Sequence, residues 1–255
     1  MTLIGEDVSP WIRQFHPSVD APIRLVCFPH AGGSASYYFP VSRALAPSVD
    51  VAAVQYPGRQ DRRGEPCVED ICELADVIAL EMRPWCDRPL ALFGHSMGAT
   101  VAYEVGRRLE RAGTMPMGIF ASGRRAPSID RNESIHLRDD RGVVQALQEL
   151  SGTNSTLLSD DEFVSMVLPA VRADYKAVET YRHADGPVLA CPVTALVGDT
   201  DPMATVEDAE AWRAHTTGTF RIKVYPGGHF YLTAQVDSVL NTIVDQLAEW
   251  TSGAR

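Results

Sequence analysis

Three side-chain types in this sequence could together cut an acyl bond. Ser96 stands between two glycines in Gly94-His95-Ser96-Met97-Gly98. Asp199 and Asp201 lie in "VTALVGDTDP", and His229 in "YPGGHFYL". A serine hydroxyl is a poor nucleophile until a base takes its proton, and a carboxylate fixes the tautomer of an imidazole base. The Gly-x-Ser-x-Gly spacing is a weak signal on its own, so its meaning rests on what flanks it.

What flanks it is an apolar run, "PLALFG", that reads as a buried strand, and then "ATVAYEVGRRLERAG", a helix closed by Gly113. A serine on that strand-to-helix turn is lifted on a strained backbone. A side chain at Gly94 or Gly98 would crowd the neighbouring main chain. The new helix also points its free N–H groups and positive end at the site, which suits an oxyanion.

Seven histidines compete for the role of base. His16 lies in an irregular N-terminal stretch, His30 in the loop after the first core strand, and His95 inside the turn. His136 and His183 belong to a helical segment, and His215 ends a helix, where a cation would suit the dipole. His229 follows the last strand in a glycine-rich loop that can return the imidazole over the strand ends. It also completes the order serine, acid, histidine. For the acid, Gly198-Asp199-Thr200-Asp201 places Asp201 on the far side of a turn. Asp201 is preferred, and Asp199 is the residue suited to closing an Asx-type turn. Oxyanion donors are expected from the backbone N–H of Met97 and from "FPHAGGSA", with Ala31 preferred and Gly32 as the alternative.

Elements that could position these groups alternate along the chain. Strands are predicted at residues 23–28, 49–56, 89–94, 116–122, 191–198 and 220–227. Helices are predicted at 36–45, 68–82, 99–113, 205–215 and 236–250. The alternation implies a mostly parallel central sheet with helices on both faces, an α/β class. It breaks between Arg124 and Gly186, where residues 142–150 and 163–181 read as helices. The second of these opens on a capping box at Ser159 to Glu162 and is kinked or divided by Pro169. An all-helical insertion there would sit over the site as a lid.

Bulk properties narrow the partners. The chain has 255 residues, suited to a single domain, and a net charge of -10, which argues against nucleic acid. The N-terminal "MTLIGEDVSPWIRQFHP" lacks the basic and apolar regions of a signal peptide, and no run reaches the length of a membrane span. The five cysteines show no metal spacing and are expected as reduced core residues of a cytoplasmic protein.

"LVCFPHAGGSASYYFPVSRAL", "VQYPGRQDR", "LFGHSMGATVAYEVGRRL", "GDTDP" and "YPGGHFYL" together resemble the type II thioesterases, stand-alone editing enzymes of polyketide and nonribosomal peptide assembly lines. The match runs from about residue 22 to 250, and "FPHAGG" with "YPGR" is far more specific than the serine motif. The resemblance implies an α/β-hydrolase fold in one domain, 1–255, with a lid insertion at about 124–187. It implies hydrolysis of stalled acyl groups from the phosphopantetheine arm of acyl or peptidyl carrier proteins. Ser96, His229 and Asp201 would be catalytic, Ala31 and Met97 the oxyanion donors, and no metal or cofactor would be needed. A monomer is expected, with no membrane partner. Because carrier proteins are acidic, a basic docking patch is expected, from Arg59, Arg62, Arg63, Arg124 and Arg125. Each of these is equally suited to an internal ion pair. Tyr37, Tyr38 and Phe39 could line an acyl pocket or form the buried face of the first helix. The rival readings are an oxygen-ester carboxylesterase and a chain-releasing or cyclising thioesterase. The intact serine, acid and histidine argue against a binding protein that has lost catalysis.

Overall fold

The segment Arg24–Phe28 is buried at every residue, as a strand covered on both faces must be. In the computed structural model, which describes residues 9–151 and 161–253, it is the second of seven strands: β1 (Ile12–Gln14), β2 (Arg24–Phe28), β3 (Asp50–Val54), β4 (Leu90–His95), β5 (Ile119–Ser122), β6 (Val193–Gly198) and β7 (Phe220–Tyr225). They form one sheet in the order β1-β3-β2-β4-β5-β6-β7. Every pairing is parallel except that of β1 with β3. The six predicted strands are therefore present, and β1 is an addition. It has three residues and no alternation of its own, and it exists through its ladder to Ala52, Ala53 and Val54.

Eight helices accompany the sheet among the described residues: α1 (Phe39–Leu45), α2 (Ile71–Glu81), α3 (Met97–Arg111), α4 (Asp140–Ser151), α5 (Asp161–Thr180), α6 (Val206–Glu210), α7 (Tyr231–Ala234) and α8 (Val236–Gly253). The α2 stripe Ile71, Leu74, Ala75 and Ile78 is fully buried, as its spacing requires, and each larger side chain contributes about 1.5–3 kcal/mol. Alternate strand residues feed two cores. Val26, Phe28 and Leu92 pack with α2 and α3, whereas Leu25, Cys27 and Phe93 pack with α1 and α8. Helices thus cover both faces.

Between β5 and β6 the described chain contains α4, α5 and a short 3-10 turn at Ile135–Leu137, which share a cluster of their own around Val143, Val171 and Tyr175. The first part of the expected capping box, Ser159 and Asp160, lies outside the described residues, as do the first eight residues of the N-terminal stretch. Pro169 does not divide α5, which is continuous to Thr180. Pro169 is exposed while Leu168, Ala170 and Val171 are buried, so packing on the opposite side carries the helix through. The 205–215 helix is shorter than expected. After Glu210 it tightens into a 3-10 turn through His215. Among the described residues no helix is long and apolar enough to cross a membrane. All five cysteines are free thiols, and burial pushes those of Cys27 and Cys191 upward.

Candidate active site

Ser96 sits between the last residue of β4 and the first of α3, with φ 55° and ψ -121°. A non-glycine residue there stores about 1–3 kcal/mol of strain, which must be held by its surroundings. The Ser96 N–H donates to the Ser122 carbonyl at 2.8 Å, and the Ser96 carbonyl accepts from Ala99 at 3.0 Å. The flanking glycines are required by close approach. A Cβ on Gly94 would stand 2.1 Å from the Gly98 carbonyl oxygen, and one on Gly98 would stand 2.0 Å from that of Phe28. The α3 helix therefore starts at Met97, two residues earlier than its apolar pattern suggested.

The β6–α6 turn and the loop after β7 bring the acid and the base to the same sheet edge. His229 Nε2 lies 3.0 Å from Ser96 Oγ, and His229 Nδ1 lies 2.9 and 3.0 Å from the two carboxylate oxygens of Asp201. An ionised carboxylate only accepts, so Nδ1 carries the proton and Nε2 is left to accept from the serine hydroxyl. Asp201 and His229 are buried, while Ser96 is partly accessible. The Met203 N–H donates to Asp201 Oδ1 at 2.8 Å and orients the carboxylate. Asp199 has a different task. It accepts the Gly227 N–H at 2.8 Å and braces the glycine loop that carries His229.

His95 and His30 stand beside this chain of bonds without joining it. His95 is fully buried, with Nδ1 2.9 Å from Ser122 Oγ, which in turn bonds the Tyr231 hydroxyl at 2.7 Å. Burial, with His229 and His30 nearby, drives His95 well below the ordinary imidazole range. Burial, then His229 and Arg59, lowers His30 to about 3. Both rings are neutral neighbours of His229. His215 departs from its expectation as a helix-end cation. Burial is the main reason that it falls to about 4, and its ring nitrogens lie 3.3 Å from the Tyr103 hydroxyl and 2.8 Å from that of Ser128.

The loop after β2 shows which N–H groups are free. Gly32, with φ 73°, donates its N–H to Asp174 Oδ2 at 2.7 Å and so is not free to face a substrate. Ala31 N–H has no acceptor among the described residues. Met97 N–H opens α3, ahead of the helical ladder. Asp174 was not singled out from the sequence. The signal was present, since it shares the apolar face of α5 with Val171 and Val178, where an acid needs a buried partner. That partner is Arg59, which binds both carboxylate oxygens at 2.6 and 2.9 Å and also donates to the Gly33 carbonyl at 3.2 Å.

This corrects the expected docking patch. Arg59, Arg62, Arg124 and Arg125 are all buried, and only Arg63 is exposed. Arg62 pairs with Glu65 and Arg125 with Glu133. The aromatic trio divides. Tyr38 is buried and donates to the Phe28 carbonyl at 2.8 Å, and Phe39 is 42% exposed. Tyr37 lies edge-on to His30 and lines an apolar cavity of about 330 Å³ between α1 and α8.

Residues 23–247 match the profile of the thioesterase domain family. The chain is 51% identical over 246 residues to the thioesterase PikA5 of Streptomyces venezuelae, covering 96% of this chain and 88% of that one. Among solved structures, BorB, a type II thioesterase from the borrelidin biosynthetic cluster, superposes with a TM-score of 0.89 at 49% identity, covering 96% and 99% of the two chains. RedJ, the thioesterase of the prodiginine pathway in Streptomyces coelicolor, gives 0.85 at 37% identity, covering 92% and 94%. The match of fold, of sequence identity and of nearly the whole length places this α/β-hydrolase-fold enzyme in the thioesterase domain family, alongside the type II thioesterases of polyketide and nonribosomal peptide biosynthesis.

Proposed function

We propose that the chain is a stand-alone editing thioesterase that hydrolyses stalled or aberrant acyl groups from the phosphopantetheine arm of acyl or peptidyl carrier proteins. The observation that carries this reading is the continuous hydrogen-bonded run from Ser96 through His229 to Asp201. In the proposed cycle His229 Nε2 takes the Ser96 proton as Oγ attacks the thioester carbonyl. The N–H groups of Met97 and Ala31 stabilise the resulting oxyanion. Collapse breaks the carbon–sulfur bond, and the imidazolium returns its proton to the leaving thiolate. Water, deprotonated by His229, then attacks the acyl-serine. The second collapse frees the carboxylic acid and restores Ser96. Asp201 holds the imidazolium throughout without taking its proton.

The helical insertion at about 124–187 acts as a lid in this reading. The contact of α5 with the loop after β2 supports it, since a Cβ on Gly32 would meet Val171 Cγ2. The whole chain is read as one domain, 1–255, and the enzyme as a cytoplasmic monomer. The reaction as drawn calls on no cofactor, and the pantetheine arm enters as part of the substrate. Type II thioesterases among the relatives, BorB and the yersiniabactin-pathway YbtT, support the carrier-bound substrate class.

The test is to incubate the protein, beside Ser96→Ala, with acyl-loaded carrier proteins, matched small thioesters and matched oxygen esters, and to follow release by intact mass. Ser96-dependent release of several short acyl groups from carriers is expected. Hydrolysis of oxygen esters with carriers left loaded would replace this reading by a carboxylesterase. Cyclic products would replace it by a chain-releasing enzyme.

A further inference from the structure

Arg124 lies two residues beyond β5 and is only 7% exposed, yet its guanidinium has no hydrogen bond or ion pair among the described residues. Its neighbours are all committed. Arg125 grips both oxygens of Glu133 at 2.9 and 2.6 Å, Arg131 pairs with Asp208, and Arg107 pairs with Glu104 at 3.0 Å. No nitrogen of Arg124 is both enclosed and unpartnered, so this largely buried side chain spends its hydrogen-bonding capacity on open space rather than on protein. Burial first, and then Arg125, pulls Arg124 down to about 9, which marks a charge that its surroundings do not compensate.

Arg124 lines a pocket of about 310 Å³ between residues 124–130 and the end of α5. That volume is at the small end for a bound metabolite or the end of a longer one. Thr100, one helical turn beyond Ser96, forms part of the wall. Ser122, two residues before Arg124, is in register with His95, so the chain enters the pocket wall from the sheet edge that carries Ser96. Two buried nitrogens on other wall residues, Arg125 Nε and His183 Nδ1, have no partner among the described residues. The carboxylates present do not fill the gap. Glu179 is held by the N–H groups of Ile135 and His136 and by the His136 ring, Asp130 pairs with Arg182 at 3.1 Å, and Asp185 is exposed.

We propose that this pocket is a binding site for a small oxyanion, a carboxylate or phosphate group, with the Arg124 guanidinium as its principal partner. The planar fork of an arginine matches either group with two parallel hydrogen bonds. The site goes beyond the hydrolytic reading and stands independently of it.

Binding is measured on the Ser96→Ala chain, so turnover plays no part. Succinate, inorganic phosphate and neutral succinamide are titrated at constant ionic strength in chloride, by calorimetry and by the Nε–H resonance of Arg124 in 15N-labelled protein. At least one anion is expected to bind and to move that resonance, with succinamide silent. Arg124→Gln should weaken anion binding at least tenfold, and Arg124→Lys should weaken it less. Response to succinate alone assigns a carboxylate ligand, to phosphate alone a phosphate ligand, and to both a general oxyanion site. No response to either anion, an equal response to succinamide, or undiminished binding by Arg124→Gln would overturn the proposal. Should Arg124→Gln fail to fold, the resonance in the chain that keeps Arg124 decides alone.

Discussion

Asp174, in the second half of α5, accepts the backbone N–H of Gly32 at 2.7 Å, so a side chain from the insertion sets the conformation of the loop that carries Ala31. The same carboxylate is the buried partner of Arg59, from the loop after β3. Three segments remote in sequence therefore meet on one carboxylate, and α5 is fastened to the catalytic edge of the sheet.

Removing Asp174 has two separable effects. Asp174→Ala leaves the Arg59 charge buried and unpaired, which costs about 3–5 kcal/mol of stability. Adding Arg59→Met removes that charge and should restore most of the stability in denaturant titrations. The Gly32 N–H remains untethered in the double variant. Its kcat on a small thioester should stay at least about tenfold below the parent, as expected for a misplaced oxyanion donor. Recovery of kcat together with stability would reduce the pair to scaffolding.

The two aspartates of "GDTD" should respond very differently. Asp201→Asn cannot fix the His229 tautomer, and kcat should fall by about 10⁴-fold. Asp199→Asn keeps an oxygen that can accept from Gly227, so its kcat/KM should change by less than about tenfold. Steady-state kinetics on one thioester compares them directly. Equal losses would mean that the loop bond matters as much as the bond to the imidazole.

Glycine substitutions separate clash from conformation. Gly98→Ala drives a methyl into the Phe28 carbonyl and should prevent accumulation of folded protein. Gly113 has φ 86° with nothing within 4 Å of a built Cβ, so Gly113→Ala meets only the left-handed penalty, about 1–2 kcal/mol. Soluble yield and thermal midpoints would show whether the order is right.

Acid should unfold this protein before its carboxylates titrate. His95 and His215 are buried neutral, with pKa values lowered in the fold. The unfolded chain binds their protons at ordinary imidazole pH and the native chain does not. Stability is therefore complete above about pH 6.5 and declines as pH falls below it, with a slope of up to about 1.4 kcal/mol per pH unit for each ring. For His215 the decline continues to about pH 4. Urea midpoints between pH 7.5 and 5 measure the slope, and His215→Gln should make it shallower. A flat profile would show that these rings are not neutral in the fold.

Much of the fold was legible because it is written in local periodicity. The buried runs at 23–28 and 191–198, the stripe Ile71 to Ile78 and the glycine-flanked serine each state their own conformation. The parallel arrangement follows because strands that alternate with helices are joined by crossovers, whereas the strand order came only with the structure. That Ser96, His229 and Asp201 would meet was readable for the same reason, since each lies in the loop just after a recognisable strand, and the structure joins the three by hydrogen bonds.

What the sequence determined by itself is the set of elements and the types of residue at their ends. Only the tertiary structure decided the partners. Nothing near Arg59 in the chain indicates Asp174, and nothing in "GRRAP" separates the paired Arg125 from Arg124, whose guanidinium has no partner among the described residues. Nor could the helix-end position of His215 show that burial would keep its ring neutral. Charge pairing and desolvation depend on distance and exposure in space. A linear pattern encodes neither until the chain has closed on itself.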